Sequence, residues 1–446
     1  MVRAYVDRFR DLRVLQYVRE MDRRGLVANS FPMNILEPGV VNTLKALPST
    51  LYAGFDATSD SLHIGNLLII SNLIRSSLFG CRAIALIGGS TALIGDPSGK
   101  SEERNFLSYD VVRENAKNLV KQLAEIGENA KDTYGSNAQL TILNNNEWFD
   151  NMSAIEFLRL GKSFRVGDMM RMGHIKRRME ESGLSYTEFS YQILQSYDWL
   201  VLSRKYDCFF QLGGSDQLGH LDAGAHFIKN VLGKQAAGIC LPLLVDKNNQ
   251  KIGKSSTVTG DPVWLSSMKT SPFHLYQHFY QLHDDIAEQY FRFFSLRPFD
   301  EVQQVISHHN SSKSQRVLQK ALAEEVVLLV HGIDDLQKAI QCSKVVYDGS
   351  LKDFEDLDND TILQLFNSTK KILSKREVRT VGELAQATRD KSQYNINLIK
   401  QGAFKLNGVK FVDPEEKIDV PKLLLKNRYT LVNWGKRNYM VVDWKD

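Results

Sequence analysis

The sequence predicts an α/β protein with an open parallel sheet first, a helical block next and a small basic α+β block last. Three observations carry this expectation. Between Leu51 and Leu244, short apolar runs alternate with helical stripes, as parallel strands joined by crossover helices require. After Pro298 no proline occurs until Pro414, and residues 317–330 and 336–346 have helical periodicity, with a polar break near 348–360. From Val381 onward the elements shorten, and Asn407-Gly408 and Asp413-Pro414 signal turns.

In chain order, Leu12, Leu15, Val18 and Met21 fall at near-helical spacing, with Gly25 as a stop. The first 25 residues hold seven Arg but also four acids, so they read as an amphipathic helix of the folded protein rather than an acid-poor import presequence. Residues 51–55 form a strand. Leu67, Leu68, Leu73 and Ile74 make a helical stripe with Gly80 as its C′ residue, and residues 83–87 form a buried strand. The pattern returns as a strand at 208–212, a helix around 219–230 and a strand at 239–245. Ser185-Tyr-Thr-Glu188 has capping-box spacing and starts a helix on which Tyr191, Gln195 and Asp198 share one polar face. The expected domains are an N-terminal helical extension (1–50), a parallel-sheet domain (51–270), a helical domain (271–360), and a linker with the small basic domain (361–446).

Composition limits the function classes. A length of 446 residues suits two to four domains, and 43% hydrophobic with 24% charged residues excludes disordered, collagenous and disulfide-scaffold classes. No apolar run approaches the ~20 residues that span a bilayer, so no membrane association is expected. The cysteines (81, 208, 240, 342) form no CxxC, and no HExxH occurs, so neither zinc nor disulfides are expected. Residues 381–446 hold 12 Lys/Arg against 8 Asp/Glu, an excess equal to the whole chain's +4. A basic end of this kind is either a solvated surface or a nucleic-acid footprint.

Several stretches could carry chemistry. Tyr52-Ala-Gly-Phe-Asp-Ala-Thr-Ser-Asp-Ser-Leu-His-Ile-Gly-Asn66 runs from a strand end into a helix start, where backbone N–H groups favour phosphate. There Gly54 permits close approach of a ligand, and His63 and Asn66 fall in the first helical turn. The loop from Gly88 to Ser101 is no P-loop, since GxxxxGK[ST] needs glycine where Ile94 stands, but it bears Asp96, Lys100 and Arg104. Gln211-Leu-Gly-Gly-Ser-Asp-Gln217 ends another strand and could contact a ribose or a substrate through Asp216. Lys251-Ile-Gly-Lys-Ser255 places two lysines around a glycine, suited to a triphosphate when a loop closes.

Together and in this order these motifs resemble those of class I aminoacyl-tRNA synthetases, most closely the tyrosyl-tRNA synthetase family. His63-Ile-Gly-Asn66 is similar to the HIGH signature and Lys251-Ile-Gly-Lys-Ser255 to KMSKS; residues 392–408 resemble an S4-like RNA-binding module without its usual Glu-Ala-Arg run. The resemblance implies a Rossmann-like catalytic domain, a helical anticodon-binding domain and an S4-like tail. It implies formation of tyrosyl-adenylate from L-tyrosine and ATP, then transfer to tRNA(Tyr), with Mg2+ accompanying ATP and no organic cofactor or protein-bound metal. It further implies a homodimer. Leu218 and the Lys-Ile-Gly-Lys-Ser form lean toward the mitochondrial matrix, with the bacterial cytoplasm as alternative.

Carried over, Tyr52 and Asp198 would bond the substrate phenol. Asp96, Tyr191 and Gln195 would hold its ammonium, and Gln211 would line the pocket. Gly54, Asp56, Gly65, Gly214 and Asp216 would bind the nucleotide. Thr58, His63, Asn66, Lys100, Arg104, Lys251, Lys254 and Ser255 would meet the phosphates. Asn66 stands for the signature's second histidine; Ala53, Ala57 and Leu218 also depart from the family pattern. The rival readings are a tryptophan enzyme, a nucleotidylyltransferase acting without tRNA, and an RNA-binding splicing factor on the same scaffold.

Overall fold

Strand order explains where a ligand can sit. In the computed structural model, which describes residues 12–98, 106–181, 183–244, 262–347, 354–355, 357–366, 369–389, 396–435 and 438–445, the chain forms two compact units. The first, Met1–Leu265 with Phe279–Val330, contains β1 (Asn29–Phe31), β2 (Thr50–Asp56), β3 (Arg82–Gly88), β4 (Leu140–Asn144), β5 (Phe210–Gly214) and β6 (Ala237–Leu241). They lie in the order β1-β6-β5-β2-β3-β4, all parallel except β1, which runs antiparallel to β6 at one edge. The chain steps outward from β2 through β3 to β4, then crosses back to β5 and steps the other way. The switch between β2 and β5 is where open α/β sheets bind ligands.

Two strand boundaries differ from expectation for physical reasons. The strand expected at 208–212 is Phe210–Gly214, because Cys208 lies in a turn following left-handed Asp207 (φ 50°) and its carbonyl accepts from Trp199 Nε1 and Ser203 Oγ. The strand expected at 239–245 is Ala237–Leu241; Pro242 follows and has no N–H to donate. The other elements stand close to where the pattern put them. Helix Arg13–Arg23 buries Leu15, Val18 and Met21, and helix Ile64–Leu78 is followed by left-handed Gly80 (φ 78°). Helix Tyr186–Tyr206 starts where Ser185 accepts from the Glu188 N–H. The Glu188 carboxylate meets Arg178 Nη2 at 2.8 Å, both side chains buried, and so ties this helix to Gly173–Glu181.

The helical run Val317–Tyr347 is broken at Gly332 (φ 81°), between the two stretches expected as helices. The polar break at 348–360 lies mostly outside the described residues. The second unit, Ser266–His278 with His331–Asp446, holds a five-stranded sheet of β7 (Lys370–Ser374), β8 (Phe404–Leu406), β9 (Val409–Phe411), β10 (Tyr429–Trp434) and β11 (Asn438–Lys445), ordered β7-β11-β10-β8-β9. Asn407 (φ 48°) and Gly408 (φ 80°) close the β8–β9 hairpin with both central residues left-handed, the geometry Asn-Gly favours. Asn407 also donates to Leu423 O and accepts from Leu431 N, so the turn is anchored to β10. Among the described residues no helix is long and apolar enough to cross a membrane.

Candidate active site

A cavity of about 460 Å³ opens at the β2–β5 switch point. β2 contributes Tyr52, Gly54 and Asp56 to its wall, and β5 with the turn after it contributes Gln211, Gly214 and Asp216. Tyr191, Gln195 and Asp198 line it from one helix, and Thr58, His63, Gly65, Asn66 and Asp96 complete the expected set found there. Lys100, Arg104, Lys251, Lys254 and Ser255 lie outside the described residues.

One part of the cavity is suited to a phenol. Tyr52 is buried, and its Oη has no hydrogen-bond partner among the described residues. An unpaired buried hydroxyl costs about 1–3 kcal/mol, which a ligand hydroxyl would offset. Burial, then the Asp198 charge, hold the Tyr52 phenol neutral, well above its ordinary value. Asp198 is buried and held from behind: Oδ1 accepts from Trp148 Nε1 at 2.8 Å and Oδ2 from Asn145 Nδ2 at 3.2 Å. Burial pushes its carboxyl up to about 8, against the pull of those two hydrogen bonds. Asn145 has one possible orientation, since its Oδ1 accepts from the Ser90 N–H and its Nδ2 also donates to Thr91 Oγ1. Thr91 in turn donates to Asp56 Oδ1 at 2.7 Å, and Tyr191 Oη donates to Asp56 Oδ2 at 2.9 Å. One continuous chain of hydrogen bonds therefore links Asp198 to Tyr191.

Another part is suited to a cation. Asp96 Oδ1 accepts from Ser98 N (2.8 Å) and lies 3.2 Å from His220 Nε2; Oδ2 accepts from Ser98 Oγ (2.6 Å) and Gln217 Nε2 (2.8 Å). Burial pushes this carboxyl up, but the His220 and Ser98 bonds and the His220 charge outweigh it, so Asp96 stays below the usual carboxylate range and ionised. Gln195 donates to Gln217 Oε1, and its own buried Oε1 has no partner among the described residues.

At the mouth, His63 is the N-cap of helix Ile64–Leu78 rather than part of its first turn. Its Nδ1 accepts from Gly65 N (3.1 Å) and Asn66 N (3.3 Å), while Asn66 Oδ1 accepts from His63 N (3.0 Å). With Nδ1 accepting, the ring proton sits on Nε2, which becomes a donor. A Cβ on Gly65 would meet the His63 ring at 2.9 Å, so glycine is what lets the imidazole fold over the helix start.

Sequence reasoning missed Trp148, Asn145, Thr91, Gln217 and His220 as members of this network. Asn145 and Trp148 follow β4, and the run Leu-Thr-Ile-Leu (140–143) was the available signal for that strand end.

The class I tRNA synthetases for tryptophan and tyrosine match as a family over residues 45–348. The chain belongs to this family. It is 36% identical over 439 residues to the mitochondrial tyrosine–tRNA ligase of Drosophila melanogaster, covering 96% of this chain and 94% of that protein. It is 34% identical to the tyrosine–tRNA ligase of Flavobacterium psychrophilum, covering 96% and 99%. Among solved structures, a C-terminally truncated mitochondrial tyrosyl-tRNA synthetase of Aspergillus nidulans superposes with a TM-score of 0.65 at 29% identity, over 74% of this chain and 94% of that one.

Proposed function

We propose that this protein activates L-tyrosine with ATP and transfers it to tRNA(Tyr). The observation that carries the reading is the pairing of the Tyr52 hydroxyl, unpartnered among the described residues, with the Asp198 carboxylate in one buried cavity, in a chain that belongs to this family. A substrate phenol donating to Asp198 and accepting from Tyr52 satisfies both groups, which an indole or an unsubstituted phenyl ring does not.

The tyrosine carboxylate is itself the nucleophile. Its oxygen bonds to the α-phosphorus as the bond to pyrophosphate breaks; then a terminal ribose hydroxyl of the tRNA attacks the carbonyl, and AMP leaves. Neither step needs a covalent enzyme intermediate, so catalysis is positioning and charge stabilisation. Asp96 with Tyr191 and Gln195 holds the ammonium, Asp216 the ribose, and His63 Nε2–H and Thr58 the phosphates, with Mg2+ accompanying the triphosphate. Lys251 and Lys254 would join them, as the similarity of Lys251-Ile-Gly-Lys-Ser255 to KMSKS implies.

The helices of 271–360 and the basic tail serve tRNA binding in this reading. A homodimer is supported by an exposed apolar face comprising Ile155 and Leu158 on helix Ala154–Leu160, which has no buried residue, with Val166 and Met170 also exposed. Similarity to mitochondrial ligases supports action in the mitochondrial matrix. ATP–pyrophosphate exchange with tyrosine, tryptophan or phenylalanine tests the assignment. Exchange dependent on tyrosine alone is expected, and exchange driven equally by tryptophan would overturn it.

A further inference from the structure

We propose that His220 is the positioning residue for ammonium recognition: it holds Asp96 and Tyr191 in place from beneath the cavity without touching substrate. This rests on the reading that Asp96 binds the substrate ammonium. A carboxylate offers about four lone-pair sites. Among the described residues, Ser98 N, Ser98 Oγ, Gln217 Nε2 and His220 Nε2 already meet the Asp96 carboxylate. An arriving ammonium therefore competes with donors already in place. Ser98 and Gln217 line the cavity, and Gln217 is half-exposed, so its amide is the donor in the path of a ligand. His220 is not a lining residue; it is 1% exposed, in the first turn of helix Leu218–Leu232. It is the donor that stays while another exchanges.

A second interaction points the same way. The His220 ring lies against the Tyr191 ring, with centroids 5.4 Å apart and planes at 52°. Tyr191 spends its hydroxyl proton on Asp56, which leaves a phenolic lone pair as the acceptor it can offer. One buried imidazole thus braces both groups that would face the ammonium. It fixes the Asp96 oxygens through Nε2 and the tilt of the Tyr191 ring through its face.

The test separates the ammonium from the rest of the substrate. Dissociation constants are measured for L-tyrosine and for its des-amino analogue, which keeps the phenol and carboxylate, on wild type, His220→Phe, His220→Gln and Asp96→Asn. His220→Phe keeps a ring against Tyr191 but loses the bond to Asp96. It should weaken L-tyrosine at least about tenfold, as loss of a hydrogen bond to a charged group does, and leave the analogue within about twofold. His220→Gln, whose amide nitrogen reaches about as far as Nε2, should recover most of that loss. KM for ATP should hold in every His220 variant, and melting curves establish folding. If the phenylalanine variant does not fold, His220→Ala is judged by the same selectivity. Equal weakening of both ligands, or none, overturns the proposal. If Asp96→Asn discriminates between the ligands while His220→Phe does not, His220 alone is excluded. If Asp96→Asn does not discriminate, the ammonium reading falls, and this proposal with it.

Discussion

Asp198 Oδ1 accepts a hydrogen bond from Trp148 Nε1 at 2.8 Å, so the carboxylate assigned to the substrate phenol is also a structural acceptor. Asp198→Ala would strand the Trp148 and Asn145 donors in a buried site, at about 1–3 kcal/mol each. Tyrosine and phenylalanine would then both lose activity through stability. Asp198→Asn keeps the shape and an oxygen for Trp148, while its amide nitrogen meets the Asn145 donor without a bond. It should lower the tyrosine-to-phenylalanine ratio in exchange by at least about tenfold, with a smaller fall in Tm than the alanine variant, which strands both donors. Tyr52→Phe should act in the same direction more mildly, because bonds to carboxylates are roughly twice as strong as neutral ones. An unchanged ratio in folded Asp198→Asn protein removes this carboxylate from phenol recognition.

The raised carboxyl of Asp198 makes the site pH-dependent. Burial pushes it up to about 8, above the roughly 3.9 of an unfolded aspartate, so the folded chain holds an extra proton between those values. Its contribution to stability is fully present below about pH 4 and is lost as pH rises through about 8. Phenol recognition needs the opposite form, the carboxylate. Tyrosine affinity should rise from pH 6 to 8, by up to roughly tenfold per unit, and then level off. The slope should vanish in Asp198→Asn. A flat titration in wild type would mean that Asp198 does not change protonation on binding tyrosine, and would overturn the raised carboxyl as the source of a pH dependence.

Much of the frame is legible in the sequence because it is set by local chemistry. The alternating runs give β2 and β3, Ser185 marks a helix start, and Asn407-Gly408 turns the β8–β9 hairpin. The strand ends at 208 and 245 are not, because Cys208 and Val245 are apolar by letter, while a turn accepting from Trp199 and a proline set the observed bounds. The supporting network is hidden for another reason. Trp148 and Asn145 reach Asp198 across 50 and 53 positions, and His220 reaches Asp96 across 124, separations at which no periodicity carries information.

The basic tail is testable by charge but not by truncation. A cut before Val381 would remove β8 to β11, leave β7 without its partner β11 and uncover Phe273, Phe354, Ile362 and Phe366, which pack with Leu425, Tyr429, Leu431 and Val441. Lys410 and Lys417 are exposed and can be reversed instead. Lys410→Glu with Lys417→Glu should leave ATP–pyrophosphate exchange unchanged and weaken tRNA charging. The log–log slope of its salt dependence should flatten by up to about one for each phosphate that goes unmet. Equal charging over a range of salt would mean that these lysines are only solvated.

Two cavity glycines give opposite expectations from the same substitution. A Cβ on Gly88 would lie 2.0 Å from Asp56 Oδ1 and 2.3 Å from Thr91 Oγ1, so Gly88→Ala must push apart the two groups that bond at 2.7 Å. That breaks the chain between Asp198 and Tyr191 at its centre, and overpacking of this kind costs roughly 1–3 kcal/mol. Tm and kcat should fall together. Gly54 also lines the cavity, but nothing lies within 4 Å of a Cβ placed there. Gly54→Ala should therefore fold with Tm within about 2 °C of wild type, given that a shift of at most about 2–4 °C accompanies 1 kcal/mol in a domain of this size. Its methyl group would stand where the nucleotide is assigned, raising KM for ATP while KM for tyrosine holds. Thermal melts with exchange kinetics on both variants check the pair. A Gly54→Ala protein with unchanged KM for ATP would place the nucleotide elsewhere in the cavity.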